Sequence, residues 1–311
     1  MLKYLVILLD DAAVSFCHYP NPGRVPCPIS AERLKAGIRF AMMENLTVQF
    51  VYPNYELPAE ICALVETVDH TKIVPADYAG RAEVRVLDGW DSWAATVWKG
   101  DTVYVLRTSK DEFFTKYACL ADVLPKVARL NIVLTDVDTF TEPDFKNYRA
   151  VLESLATVVE SLYAEGVSPQ LNLLTDRMML DAMNNCNAGW ESVTLAPDGR
   201  FYVCPAFYRE GMSVGDLEHG LSIKNPQLYR LDHAPLCRRC DAYQCKRCVW
   251  LNRCTTYEVN TPSHEQCVMA HLERNASRAL LESIRRRGTF LPGHEIKEID
   301  YLDPFERKEE Y

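Results

Sequence analysis

The sequence predicts an α/β fold with a mainly parallel sheet, followed by a small cysteine-rich region. Two observations carry this. From Tyr4 to Leu174, short apolar runs alternate with longer stretches of helical period, the pattern of repeated βα units. Beyond them, eight of the 12 cysteines crowd between Cys186 and Cys267. A hydrophobic content of 48% and a charged content of 25% are ordinary globular values, so 311 residues suffice for a substantial core and a second, smaller unit.

Taken in order, Tyr4–Leu9 reads as a buried strand that stops at Asp10-Asp11; no small-residue cleavage site follows it, so it is not read as a signal peptide. Ser30 is a good N-cap for a helix reaching about Asn45, with Leu34, Ile38, Ala41 and Met42 on its apolar face. Leu46–Tyr52 is the next strand, ended by Pro53. A short helix over Glu60–Val68 and strands at Lys72–Val74, Glu83–Leu87 and Val103–Arg107 follow. Asp111–Ala128 is expected to be helical, and Asn131–Leu134 a strand.

The strongest helix runs from about Pro143 to Glu165, with Phe145, Tyr148, Leu152, Leu155, Val159 and Leu162 as its stripe, Thr141 as its cap and Gly166 as its stop. Leu171–Leu174 is expected to be the last strand before a boundary near Asp181–Asn185. After Cys267 an amphipathic helix to about Arg287 and a polar tail ending Glu309-Glu310-Tyr311 complete the chain.

Net charge is −9 with no basic stripe, which argues against nucleic acid as a partner. No stretch approaches the roughly 18 apolar residues of a membrane span. A cytoplasmic setting is expected, where thiols stay reduced and twelve cysteines argue for metal before disulfides.

The metal candidates are Cys186, Cys204, Cys237, Cys240, Cys245, Cys248, Cys254 and Cys267. Eight thiolates suffice for two [4Fe–4S] clusters at four apiece. Between Cys186 and Cys204 the sequence predicts a hairpin: Val193-Thr194-Leu195, a turn at Ala196-Pro197-Asp198-Gly199, then Phe201-Tyr202-Val203. Such a hairpin brings its two ends, and with them the two cysteines, together. The segment from Cys237 to Cys254 holds five basic residues (Arg238, Arg239, Lys246, Arg247, Arg253) against Asp241. Cations near thiolate-ligated clusters stabilise their negative charge. Two zinc ions in Cys₄ sites are the alternative; zinc ribbons usually leave about 15–20 residues between cysteine pairs, and Cys240 and Cys245 are far closer.

This spacing resembles the SPASM domain, the auxiliary-cluster module of radical-SAM peptide-modifying enzymes. Gly199-Arg-Phe-Tyr-Val-Cys204 matches its Gly-x4-Cys element; Cys245-x2-Cys248-x5-Cys254 and Cys267 match later ones, and Val214-Gly215-Asp216-Leu217 resembles the segment between the halves. Glu258 stands where a further cysteine is expected, while Cys237 and Cys240 are additional. The resemblance implies one cluster on Cys245, Cys248, Cys254 and Cys267, and another on Cys186, Cys204, Cys237 and Cys240. The Cys-x3-Cys-x2-Cys motif of radical-SAM enzymes has no counterpart after the first strand, which is followed only by Cys17, His18 and Cys27. With Leu8-Leu9-Asp10-Asp11 and Phe16-Cys17-His18-Tyr19, the chain most resembles the CXXX repeat peptide maturase family.

The resemblance implies a degenerate radical-SAM-like partial (β/α) barrel over 1–183, a SPASM iron–sulfur domain over 184–270 and a helix and tail over 271–311. It further implies a role in maturing a ribosomally made peptide with Cys-x-x-x repeats, beside a radical-SAM partner protein. The rival expectation is a zinc-stabilised peptide-binding adaptor without redox function.

Other residues have plainer readings beside functional ones. Cys17, His18 and Cys27 form either a degenerate metal or peptide site or a loop with incidental thiols. Asp10 and Asp11 contact substrate or satisfy loop backbone. Cys62 and Cys119 are expected as core thiols. Trp190 and Trp250 are expected to shield clusters, and Arg285-Arg286-Arg287 to be a solvated face rather than a grip for an acidic leader.

Overall fold

The computed structural model describes residues 2–20, 25–183 and 186–288; the expected polar tail and part of the expected boundary at 181–185 lie outside these. In chain order the elements are β1 (Tyr4–Leu8), α1 (Ala31–Met43), β2 (Thr47–Val51), α2 (Ala59–Val65), β3 (His70–Pro75), β4 (Val84–Asp88), β5 (Val103–Thr108), α3 (Lys110–Lys116), β6 (Arg129–Leu134) and α4 (Glu142–Ala164). There follow α5 (Asp176–Met179), β7 (Ser192–Leu195), β8 (Arg200–Tyr202), α6 (Pro205–Arg209), β9 (Ser213–Asp216), β10 (Gly220–Leu221), α7 (Val249–Thr256) and α8 (His264–Arg287).

The chain divides into two compact units: residues 1–97, 102–107 and 187–233, and residues 98–101, 108–186 and 234–311. The first is built on strands ordered β10-β9-β8-β7-β1-β2-β3-β4-β5, of which β7 and β1 to β5 run parallel and β8 to β10 antiparallel. The fold is therefore mixed α/β with a large parallel sheet, as expected. Leu5, Ile7 and Leu9 are fully buried, and each such side chain contributes about 1.5–3 kcal/mol relative to exposure. Leu34, Ile38 and Ala41 of α1 and Ile61 and Val65 of α2 join Val48, Phe50, Val193 and Leu195 in one core.

Ser30 caps α1 through the Arg33 N–H at 3.3 Å. Gly37 sets how closely this helix approaches β7, since a Cβ there would lie 2.3 Å from Leu195 Cδ2. Met42, expected on the apolar face, is 69% exposed: the buried stripe of α1 runs through Leu34, Gly37, Ile38 and Ala41, and Met42 lies off it.

The predicted hairpin forms as β7 and β8, with Gly199 at φ +83° in its turn and the Arg200 N–H bonded to Asp198 Oδ1 at 3.0 Å. It does more than close on itself. β7 pairs in parallel with β1, Tyr4 opposite Ser192 through Ile7 opposite Leu195. Residues 187–233 thus belong to the first unit with the chain's N-terminal strand, whereas Cys186 and residues 234–288 belong to the second.

The second unit packs α4 along α8. Ser283 donates to Glu160 at 2.8 Å and Arg287 pairs with the same carboxylate at 2.6 Å, while Phe145 meets His264 edge-on. Two expectations fail here. Asp111–Ala128 is not one helix: α3 stops at Lys116 and 3₁₀ turns cover Tyr117–Asp122 and Leu124–Lys126, where Pro125 has no N–H to continue an α-helix. Leu171–Leu174 is not a strand. Leu171 makes a single bridge to Leu130, the chain then turns through Thr175, and the Asn172 side chain takes the ladder's place, accepting from Ile132 N–H at 2.8 Å and donating to Ile132 C=O at 2.9 Å. Among the described residues no helix is long and apolar enough to cross a membrane.

Candidate metal centre

The segment from Cys237 to Arg247 has little regular structure, and its shape comes from tight turns. Cys237–Arg239 is one 3₁₀ turn, closed by the Cys240 N–H on the Cys237 carbonyl at 3.1 Å. Two thiols then repeat one local geometry. The Ala242 N–H points at Cys240 Sγ, 3.4 Å away, and the Arg247 N–H at Cys245 Sγ, also 3.4 Å away. Arg247 holds a left-handed φ of +44°, which costs a non-glycine residue roughly 1–2 kcal/mol. Such strain persists where the surroundings over-determine it.

The segment docks on α8 through three side chains. Cys240 Sγ lies 3.5 Å from His271 Nε2, Asp241 Oδ1 accepts from Arg274 at 3.0 Å, and Gln244 donates to the Ala270 carbonyl at 2.6 Å and to Glu273 Oε2 at 3.2 Å. Cys267, His271 and Arg274 are spaced by four and three residues and so share one face of α8. The helix was expected to begin after Cys267; it begins at His264, capped by Ser263, which places Cys267 on that face.

Charge around the segment is unusual for an interior. Arg247 is fully buried, Arg177 is 1% exposed and Arg274 8% exposed. Asp241, 4% exposed, bridges Arg177 at 3.1 Å and Arg274 at 3.0 Å. Burial opposes its ionisation, but the two guanidinium groups outweigh this and hold its carboxyl below the usual range. Burial lowers the pKa of Arg247, and the influences opposing that are the sulfurs of Cys237, Cys186 and Cys245. Burial likewise pushes the Cys237 thiol up to about 11 and the Cys245 thiol well above its usual value; the neighbouring thiols that add to the latter are Cys237, Cys267 and Cys240.

Ligation to a metal replaces each thiol proton with a positive centre, and the resulting thiolate-ligated ion or cluster is a net anion. Buried guanidinium groups beside the thiols would complement that charge, but the described thiols do not by themselves form a metal site. Among the described residues no three His, Cys, Asp or Glu side chains converge to hold one ion.

The remaining thiols are distributed as follows. Cys186 is exposed and its N–H donates to the Lys246 carbonyl at 3.1 Å, beside Arg247. Cys248 precedes α7 and Cys254 lies exposed on it. Cys204 is in the first unit, ahead of α6, where with Cys17 it helps burial raise the pKa of Tyr19. Cys62 is partly buried and donates to the Leu57 carbonyl, whereas Cys119, expected in the core, is exposed because its segment is a 3₁₀ turn rather than an amphipathic helix. In the first unit the Arg230 guanidinium stacks over Trp190 at 4.6 Å.

The loop after β1 is held by side chains of its own unit. Arg107 donates to the Cys17 and Tyr19 carbonyls, both at 2.8 Å, and pairs with Asp88 at 2.5 Å. Arg209 donates to the Asp11 carbonyl at 2.6 Å. Tyr208 bonds the Asp11 carboxylate, and Asp10 accepts from the Ala12 N–H at 2.6 Å and from Tyr55. Asp10 thus satisfies loop backbone, whereas the Asp11 carboxylate is taken up by Tyr208 of α6.

Of the five basic residues flagged between Cys237 and Cys254, only Arg247 is buried; Arg238 and Arg239 are exposed. Arg177, Arg274 and His271 were missed. Arg177 and Arg274 reach Asp241 from 64 and 33 residues away and His271 reaches Cys240 from 31, and the one signal in the sequence is the lone acid Asp241 in a basic segment, which needs partners if buried.

No family model matches the chain, and no curated protein matches it. Solved structures do. A histidine-tagged form of anSMEcpe with bound AdoMet superposes with a TM-score of 0.61 at 10% identity, covering 92% of this chain and 100% of that one. Native anSMEcpe with bound AdoMet and Cp18Cys peptide gives 0.60 at 12% identity over 92% and 100%. The fold is radical-SAM-like. At this identity the likeness concerns architecture alone.

Proposed function

We propose that this radical-SAM-like chain is an iron–sulfur protein of peptide maturation. It would bind a ribosomally synthesised peptide with Cys-x-x-x repeats and exchange electrons with a radical-SAM partner protein. The observation that supports the iron–sulfur half is buried Arg247, on which the sulfurs of Cys237, Cys186 and Cys245 act. The peptide half is supported by the fold shared with anSMEcpe, which has been solved with AdoMet and the Cp18Cys peptide. A bound cluster supplies one-electron transfer. The residues of the chain contribute the charge balance, through Arg177, Arg247 and Arg274, and the fixed turns that aim N–H groups at Cys240 and Cys245.

The test is iron, sulfide and zinc content after anaerobic purification, with the visible spectrum and the affinity for a synthetic Cys-x-x-x repeat peptide. About eight irons and eight sulfides per chain, a brown colour and saturable peptide binding are expected. About two zincs without colour would replace the redox role with that of a zinc-stabilised adaptor.

A further inference from the structure

Resting on the proposed pairing with a radical-SAM protein, we infer that this chain takes no AdoMet of its own. The loop after β1 is a strap across the carboxyl ends of the parallel strands, fastened there by Arg107, and AdoMet is held by the partner protein.

Ligands of open parallel sheets sit outside the carboxyl ends of the strands, in the crevice that the following loops leave open. In the first unit residues 10–19 cross that end. The Val14 N–H bonds to the Tyr52 carbonyl at 2.9 Å, just past the end of β2. Arg107, next to last in β5, donates through Nε to the Cys17 carbonyl and through Nη2 to the Tyr19 carbonyl, both at 2.8 Å. In the sheet β2, β3 and β4 lie between β1 and β5, so a segment that leaves β1 and is bonded to both β2 and β5 reaches from one side of that end to the other. Ala13, Ser15 and Tyr19 are buried, as is Arg107. The Ser15 hydroxyl donates to the Tyr19 carbonyl at 2.5 Å, and at the start of the segment Arg209 donates to the Asp11 carbonyl at 2.6 Å. The fastening is through backbone: the Tyr19 hydroxyl is buried with no hydrogen-bond partner among the described residues.

The connection after β3 is fixed in the same way. Arg85 of β4 donates to the Ala76 carbonyl at 2.9 Å and to the Tyr78 and Gly80 carbonyls at 2.7 Å each. The carboxylates of this end are engaged as well, Asp10 by the Ala12 N–H and Tyr55, Asp11 by Tyr208, and Asp88 by Arg107. AdoMet carries a sulfonium, an ammonium, ribose hydroxyls and an adenine edge, all of which need partners from the fold. Here the guanidinium groups and carboxylates already serve the chain's own loops and side chains. AdoMet would have to displace a buried strap whose bonds to Arg107 are charge-assisted. The residues of this end do not fit it.

Two measurements on the full chain, purified anaerobically, test this. Equilibrium dialysis with labelled AdoMet should show no saturable binding, while iron content and binding of the Cys-x-x-x repeat peptide are read on the same preparation. Saturable AdoMet binding would overturn the inference; with iron and peptide binding retained, it would leave the iron–sulfur reading intact. A chain without iron or peptide binding that also takes no AdoMet would overturn that reading and keep the strap. Hydrogen exchange reads the strap directly. Peptides covering residues 10–19 should exchange slowly in the wild type and stay unchanged on adding AdoMet. In Arg107→Met they should exchange about tenfold faster or more, while peptides of β7 and β8 keep their rates. Arg209→Gln, which leaves Arg107 in place, should speed only the start of the segment. Fast exchange across residues 10–19 in the wild type, or rates unmoved by Arg107→Met, would overturn the strap.

Discussion

Two loops of this protein are held by arginines, and they differ in what receives the charge. After β1, Arg107 and Arg209 direct their donors to the carbonyls of Asp11, Cys17 and Tyr19 and to the Asp88 carboxylate. Around Cys237–Arg247, Asp241 serves both Arg177 and Arg274, and Arg247 faces sulfur. The sulfurs of Cys237, Cys186 and Cys245 favour its charged form more strongly as thiolates than as thiols, because an uncharged sulfur is a weak acceptor. The difference lies in the partner atoms: the first loop's arginines meet oxygen, whereas Arg247 also meets sulfur, whose charge ligation to a metal would change.

The largest test of this contrast is Arg247→Met. In metal-free protein it removes a desolvated cation and should leave stability equal or raise it; in metal-loaded protein it should cost about 3–5 kcal/mol, the scale of an uncompensated buried charge. Thermal unfolding with and without a chelator reads the reversal of sign, and a uniform loss in both states would break the comparison.

Arg107→Met is the counterpart in the first unit. Losing its bonds to two carbonyls and Asp88 should destabilise by about 2–3 kcal/mol, alike with and without metal. Denaturant melts and iron content check this; lost iron would mean that the first loop is coupled to the centre.

The smallest effect sharpens the second region. Glu273 is partly exposed, yet Tyr148 donates to one of its oxygens at 2.6 Å and Gln244 to the other at 3.2 Å. Burial raises its pKa to about 7, opposed by those two bonds and by Lys246 and reinforced by Asp176. A carboxyl raised above its unfolded value of 4.5 contributes stability below that value and loses it as pH rises through about 7. Between about pH 5.5 and pH 8 the wild type should lose about 1–2 kcal/mol that Glu273→Gln does not. Urea midpoints at the two pH values measure it, and parallel slopes for the two proteins would count against a titrating Glu273.

Much was legible from local signals. The period of β1, α1, β2 and α4, the Ser30 cap and the Pro-Asp-Gly turn are interactions among near neighbours, so their residues suffice. Leu171–Leu174 was misread because an Asn172 amide can substitute for a strand, which no periodicity records. The α8 start was misplaced by a few residues, and with it the face on which Cys267 stands.

By itself the sequence determined the α/β class, the hairpin, the crowd of thiols and their basic neighbourhood. Only the tertiary structure decided that β7 would pair with β1, that Arg247 alone of five basic neighbours would be buried, and that Arg177, His271 and Arg274 would join it. The physical reason is sequence separation. Spacing reports what neighbours along the chain can do, whereas burial and charge compensation depend on which distant segments the core brings together.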